Sequence, residues 1–221
     1  MIDTKSFMEY TASVLKVFCR PEYHEKIVVP HEAVVKRGSV IVGAVRAIRD
    51  REIVVNQEVI PFDFAIVSTG SHYPSSIKSV AISSKFRGKQ VAQQRQMLDR
   101  AKSICIVGGG FVGCELACEI KETLPDTEVA LVHSRGRVMH RLVSSGSHDP
   151  HDLAMERFRE LGVKVHLEQR ATSWDKRAKE CITSEGVKVP ADHVFWCGGP
   201  EPMTKFMVPH HPQTLDSKGY I

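Results

Sequence analysis

Residues 104–124 read ICIVGGGFVGCELACEIKETL: a short apolar run, a glycine-rich turn and an amphipathic stretch in direct succession. Ile104-Cys105-Ile106-Val107 is short, apolar and stopped by glycine, the pattern of a buried strand. Phe111 to Leu124 carries helical spacing and ends at Pro125. Between them Gly108, Gly109, Gly110, Phe111, Val112 and Gly113 satisfy G-x-G-x-x-G, in the strand–turn–helix setting that gives the pattern its meaning. Gly108 then makes the tight turn, Gly110 lets the backbone close on a pyrophosphate, and Gly113 lets helix and strand pack closely. The helix N-terminus supplies free N–H groups and partial positive charge to the phosphates. With a second apolar strand at Val129 to Val132, this part of the chain is constrained to parallel α/β architecture.

The remainder agrees with an ordinary globular chain. At 221 residues it has room for one large or two small domains, and 42% apolar with 25% charged residues excludes disorder, collagen and coiled coil. No apolar run approaches the ~20 residues of a membrane helix, and no signal peptide is visible. The net charge of +4 falls short of the dense basic stripes of nucleic-acid binders, so nucleic acid is not expected and acidic small molecules are the natural partners. Six cysteines without a CxxC fit a reducing compartment, with cytoplasmic location expected. They also argue against a dithiol mechanism. Cys114 and Cys118 share a helix face but have no further ligand pair nearby, so no metal is expected.

Coarse periodicity predicts a helix over 5–18 and β-rich runs at 26–30, 39–48, 52–55 and 64–70, the last a buried strand after a meander. It also predicts helices over 84–102 and 150–161, the second opened by Asp149 and Pro150 and closed by Gly162. A strand at 163–167, a hairpin near 180–190 and a buried run at 194–197 complete the pattern.

An NAD site usually places Asp or Glu at the end of the second strand to hold the ribose 2′-OH. His133 stands there instead. Residues 129–148 hold no acid and carry Arg135, Arg137 and Arg141, so the ribose end is expected to be positive and to lean toward NADPH.

Four motifs in order, FAIVSTGSHYP, IVGGGFVGCELACEI, EVALVHS and VFWCGG, resemble the FAD- and NAD(P)-dependent pyridine nucleotide-disulfide oxidoreductases. Within them the chain is most similar to the apoptosis-inducing-factor-like group and its ferroptosis-suppressor, mitochondrion-associated branch. The resemblance implies a Rossmann-like NAD(P)-binding domain inserted in a partial FAD-binding domain with a β-meander. The implied units are 1–80 for the partial FAD domain lacking its first βαβ, 81–199 for the NAD(P) domain, and 200–221 for the return segment, truncated at both ends of the chain.

By the same resemblance, Thr69 and Gly70 form one crossover beside the flavin, and Gly198 and Gly199 the returning one, with Gly198 where the family commonly has Thr. Asp3 matches the acid that holds the flavin's adenosine ribose, Lys16 a position near the FAD pyrophosphate, Val45 the adenine side of the meander, and Glu115 an acid near the nicotinamide. Implied cofactors are FAD and NAD(P)H. The implied reaction passes hydride from NAD(P)H through the flavin to a quinone-like acceptor, with no catalytic side chain expected because the cofactors carry the hard step. The rival readings are a redox-incompetent NAD(P)-binding interaction module and an apoptosis-related effector. Mitochondrial or membrane-associated location, through ends not present here, is the alternative to cytoplasmic.

Overall fold

A computed structural model describes residues 1–142 and 148–221. Its centre is a parallel sheet. With the antiparallel meander of β1 (Val45–Ile48), β2 (Glu52–Val55) and β3 (Glu58–Pro61) counted first, the sheet comprises β4 (Ser103–Val107), β5 (Glu128–Val132), β6 (Lys164–His166) and β10 (His193–Trp196). Their order across the sheet is β6-β5-β4-β10, all parallel, with Val129 opposite Ile104 and Val194 opposite Cys105. Between β6 and β10 the chain makes an antiparallel sheet of β7 (Ala171–Asp175), β8 (Glu180–Thr183) and β9 (Lys188–Pro190).

Strand alternation decides what each face of the sheet meets. Ile104, Ile106, Val129 and Leu131 join one core with α1 (Val14–Cys19), α2 (Ser84–Arg100), α3 (Phe111–Thr123) and α4 (Pro150–Leu161). Cys105, Ala130, Val132 and Val194 point the other way, onto Cys181 and Val189 of the small sheet. Helix α4 keeps the predicted stops: the Asp149 side chain accepts from His151 N–H, and Gly162 closes it at φ 72°. The N-terminal segment shares the first core, since Phe18 of α1 stacks on Phe195 of β10 with ring centroids 6.4 Å apart.

Two expectations are corrected. The predicted helix over 5–18 is only Val14–Cys19; Phe7–Glu9 is a strand antiparallel to Val28–Pro30. Phe7 and Glu9 are buried while Met8 is exposed, a period of two that a longer apolar window blurs into helical spacing. The predicted buried strand at 64–70 forms no strand, and Phe64 and Ile66 are each 94% exposed. An inner strand requires hydrogen-bonded neighbours on both edges, and no described strand pairs with this segment.

One contact had no signal in the sequence. Arg87 of α2, fully buried, donates to Glu9 at 2.6 Å and to the carbonyls of Ser76 and Ile77, tying the N-terminal hairpin and the linker to the helix.

Candidate functional site

A cleft of about 480 Å³ opens at the carboxyl edge of the parallel sheet, where the chain, having run outward from β4 to β6, returns on the other side as β10. Doubly wound sheets bind ligands at such a reversal. The cleft is floored by Val107, Val132 and Trp196 at the strand ends and flanked by Gly108 to Val112, Gly198 and Gly199.

The glycine turn has the geometry the sequence predicts. Gly108 sits at φ 117°, and a methyl there would stand 2.5 Å from the Cys197 carbonyl oxygen; one on Gly113 would stand 1.9 Å from the Gly108 carbonyl oxygen. Both positions are closed to any side chain. Gly110 is different: it has ordinary backbone angles, and a methyl there meets nothing within 4 Å. No side chain caps α3 at Gly110, so the helix presents its N-terminus to the open space over that residue. The residues therefore fit a dinucleotide pyrophosphate.

Part of the arginine-bearing loop reaches the cleft. Arg135 and Arg141 line the cleft, together with His140 and, from the exit of β6, Gln169 and Arg170. Arg137 does not; it is ion-paired with Asp149. Glu168 lies beside Gly136, where a methyl would come within 3.6 Å of its Oε1, so an acid from another element flanks a loop that is acid-free in sequence. Residues 143–147 of that acid-free stretch lie outside the described residues.

His133 is buried, and its Nδ1 accepts the Gly109 N–H at 3.1 Å. Burial, then His140 and Arg135, hold its pKa below the ordinary value. Glu115, on the exposed side of α3, does not line the cleft, and burial followed by Glu119 pushes its pKa up.

Of the residues expected at a flavin, Gly198 and Gly199 line this cleft, and Asp3, Lys16, Val45, Thr69 and Gly70 do not. The Asp3 carboxylate accepts from the Lys5 N–H at 2.9 Å and lies 3.2 Å from His31 Nε2. Lys16 Nζ sits 5.1 Å from the Tyr23 ring centroid, and Val45 pairs with Val55 in the meander. Thr69 Oγ1 donates to the Met203 carbonyl, and the Gly70 carbonyl accepts from Met203 N–H, so residues 69–70 are held against the 200–221 segment, while 64–68 pair with no described strand. Cys197, beside Gly198, is a free thiol pushed up to about 12 by burial and then by Cys114.

Sequence reading missed Tyr73, Gln169 and Arg170 as cleft residues. Each had a signal: Tyr73 ends the STGSHY motif, and Gln169-Arg170 follow a parallel strand at its carboxyl end, where ligand-contacting groups collect.

The family model described as pyridine nucleotide-disulphide oxidoreductase matches residues 13–221. Apoptosis-inducing factor homolog B of Dictyostelium discoideum is 25% identical, with 100% of this chain covering 62% of that protein. Ferroptosis suppressor protein 1 of Homo sapiens is 25% identical over 90% of this chain and 55% of its own length. The chain thus spans little more than half of these relatives. Among solved structures, a ferredoxin reductase from Rhodopseudomonas palustris superposes with a TM-score of 0.77 at 17% identity, covering 93% of this chain and 53% of that one. An engineered water-forming NADPH oxidase bound to NADPH gives 0.75 at 16% identity, covering 100% and 51%. At such identities the structures speak for the fold alone.

Proposed function

The chain belongs to the pyridine nucleotide-disulphide oxidoreductase family, and from that premise we propose that it binds NAD(P)H at the glycine turn as the nicotinamide-binding part of a flavoprotein oxidoreductase. The observation that carries this reading is the open space over Gly110, in a turn where Gly108 and Gly113 are closed by backbone and Gly109 by the side chains of Val138 and His133. Bound NAD(P)H would supply hydride. The protein's own contribution is to hold the phosphates on backbone N–H groups of the turn and to orient the dinucleotide along the strand ends.

Arg135, Arg141 and Arg170, with His140, favour a ligand carrying the extra 2′-phosphate, so NADPH is the proposed donor. A quinone-like acceptor is proposed from the resemblance to ferroptosis suppressor protein 1, and a reducing, cytoplasm-facing location from the free cysteines. Among the described residues, no helix is long and apolar enough to cross a membrane.

A second reading, a nucleotide-binding module without its own redox turnover, is favoured by one observation: the flavin-side segment around Phe64 and Ile66 is unpaired and exposed. Colour and fluorescence separate the two. Trp196 lines the cleft, so quenching of tryptophan emission reports nucleotide binding. NADPH is expected to bind more tightly than NADH, and Arg135→Ala to weaken NADPH about tenfold with little effect on NADH. Tighter NADH binding that ignores Arg135→Ala would reject the NADPH assignment. Yellow protein that oxidises NADPH with a quinone supports the oxidoreductase; colourless protein that still binds NADPH supports the module.

A further inference from the structure

At the end of β5 the side chain of His133 turns toward the glycine loop. Its backbone is pinned on both sides: its N–H donates to the His166 carbonyl at 2.8 Å, and its carbonyl accepts from Gln169 N–H at 3.0 Å. From this fixed point Nδ1 accepts the Gly109 N–H at 3.1 Å, and the Gly109 carbonyl accepts from Met139 N–H at 2.8 Å. Both polar groups of Gly109 are therefore tied to the 133–139 loop. The fit is steric as well as polar. A methyl on Gly109 would stand 2.7 Å from Val138 Cγ1 and 2.9 Å from His133 Cγ, so glycine at this variable position of the motif is matched to the imidazole lying against it.

We propose that His133 is a positioning residue for dinucleotide binding, whose neutral imidazole locks the glycine turn in its binding shape by accepting the Gly109 N–H. This rests on the turn being the nucleotide site. Only the tautomer with its proton on Nε2 can act so, because a proton on Nδ1 would face the Gly109 proton. Acidification therefore removes the acceptor and releases the turn.

Several groups set where that happens. His140 stacks on the ring with centroids 5.5 Å apart. Arg135 and the Arg137 carbonyl act from the same loop, the former against protonation and the latter for it. His166 stands on the adjoining strand and Glu168 at its exit, while Tyr73, Arg141 and Arg170 line the same cleft. Nε2 is buried and, among the described residues, finds no hydrogen-bond partner of ordinary geometry, which leaves the charged ring poorly served.

The test uses acid-stable NADP⁺ as the probe, at constant ionic strength, on the wild type, His133→Asn and His133→Leu. Asn places an amide oxygen near the position of Nδ1 and does not titrate; Leu has no acceptor. Wild-type affinity, measured relative to His133→Asn so that titration of the NADP⁺ 2′-phosphate cancels, is expected to fall progressively as the pH is lowered from 7.5 to 4.5. His133→Asn should bind within about threefold of wild type at pH 7.5, whereas His133→Leu should lose at least tenfold there; a wild-type to His133→Asn ratio that stays constant down to pH 4.5 overturns the proposal. Amide exchange of Gly109 in the nucleotide-free protein is the independent readout: slow in wild type and His133→Asn at pH 7.5, at least tenfold faster in His133→Leu. Folded His133→Leu with wild-type Gly109 exchange, or with wild-type affinity, overturns the proposal. Loss of Gly109 protection in a protein that binds no nucleotide would instead overturn the reading of the site while leaving the hydrogen-bond lock standing.

Discussion

Single residues of the glycine turn separate shape from ligand. Gly113 is demanded by the fold, because its Cα lies against the Gly108 carbonyl; Gly113→Ala forces helix and strand apart and is expected to cost several kcal/mol, read as a lowered urea midpoint. Gly110 is demanded by nothing inside the protein. Gly110→Ala, which places alanine at the N-cap of α3, should cost no more than ~1 kcal/mol of unfolding free energy, and a larger loss would show that the space over Gly110 is smaller than described. The turn was legible because four apolar residues, six turn residues and a proline-terminated helix agree on one structure. The role of His133 was not: its sequence position says only that it ends a strand, and the contact with Gly109 spans 24 residues.

Helices and strands were legible where period and end signals coincide. Helix α4 has Asp149, Pro150 and Gly162 at its ends and forms where predicted. The 5–18 segment lacked such signals, and its first half pairs with Val28–Pro30 through contacts no local pattern reveals. The same hairpin supplies Glu9 to Arg87, a pair hidden in sequence because its members are 78 residues apart. Arg87→Ala strands the Glu9 carboxylate, 3% exposed, away from water and is expected to destabilise by ~3–5 kcal/mol in urea titration. A cost under 1 kcal/mol would mean that water reaches Glu9. Arg87→Met with Glu9→Leu should recover much of the loss, since an apolar pair carries no desolvation cost.

Over the whole molecule, histidines whose pKa values are lowered by burial are expected to weaken the fold in acid. His193 lies between Trp174 and Phe195, and burial, then Lys176, lower its pKa from 6.5 to about 4. Burial also lowers His24 and His133. A histidine whose folded pKa is depressed binds fewer protons folded than unfolded between the two values, so its contribution is whole above pH 6.5 and is lost as pH falls to about 4. For His193 this is at most ~3 kcal/mol. The urea midpoint should drop between pH 7 and 4.5, and His193→Phe should flatten that drop; a flat wild-type profile would contradict the assignment. At this scale the two parts of the chain differ in how fully they were readable. In the part built around the parallel sheet, strand, turn and helix signals follow one another along the chain, so local reading sufficed. The segment at 64–70 has an inner strand's composition without described neighbours to pair with, and composition alone does not supply them. The cleft at the carboxyl edge of the sheet is proposed as a dinucleotide site. The most direct measurement is an NADPH titration of wild type and Gly110→Ala by tryptophan quenching, alongside their urea midpoints. The prediction is saturable wild-type binding, weakened at least tenfold in Gly110→Ala while the protein stays folded and within ~1 kcal/mol of wild-type stability. Equal binding by the two proteins, or none by the wild type, would contradict it.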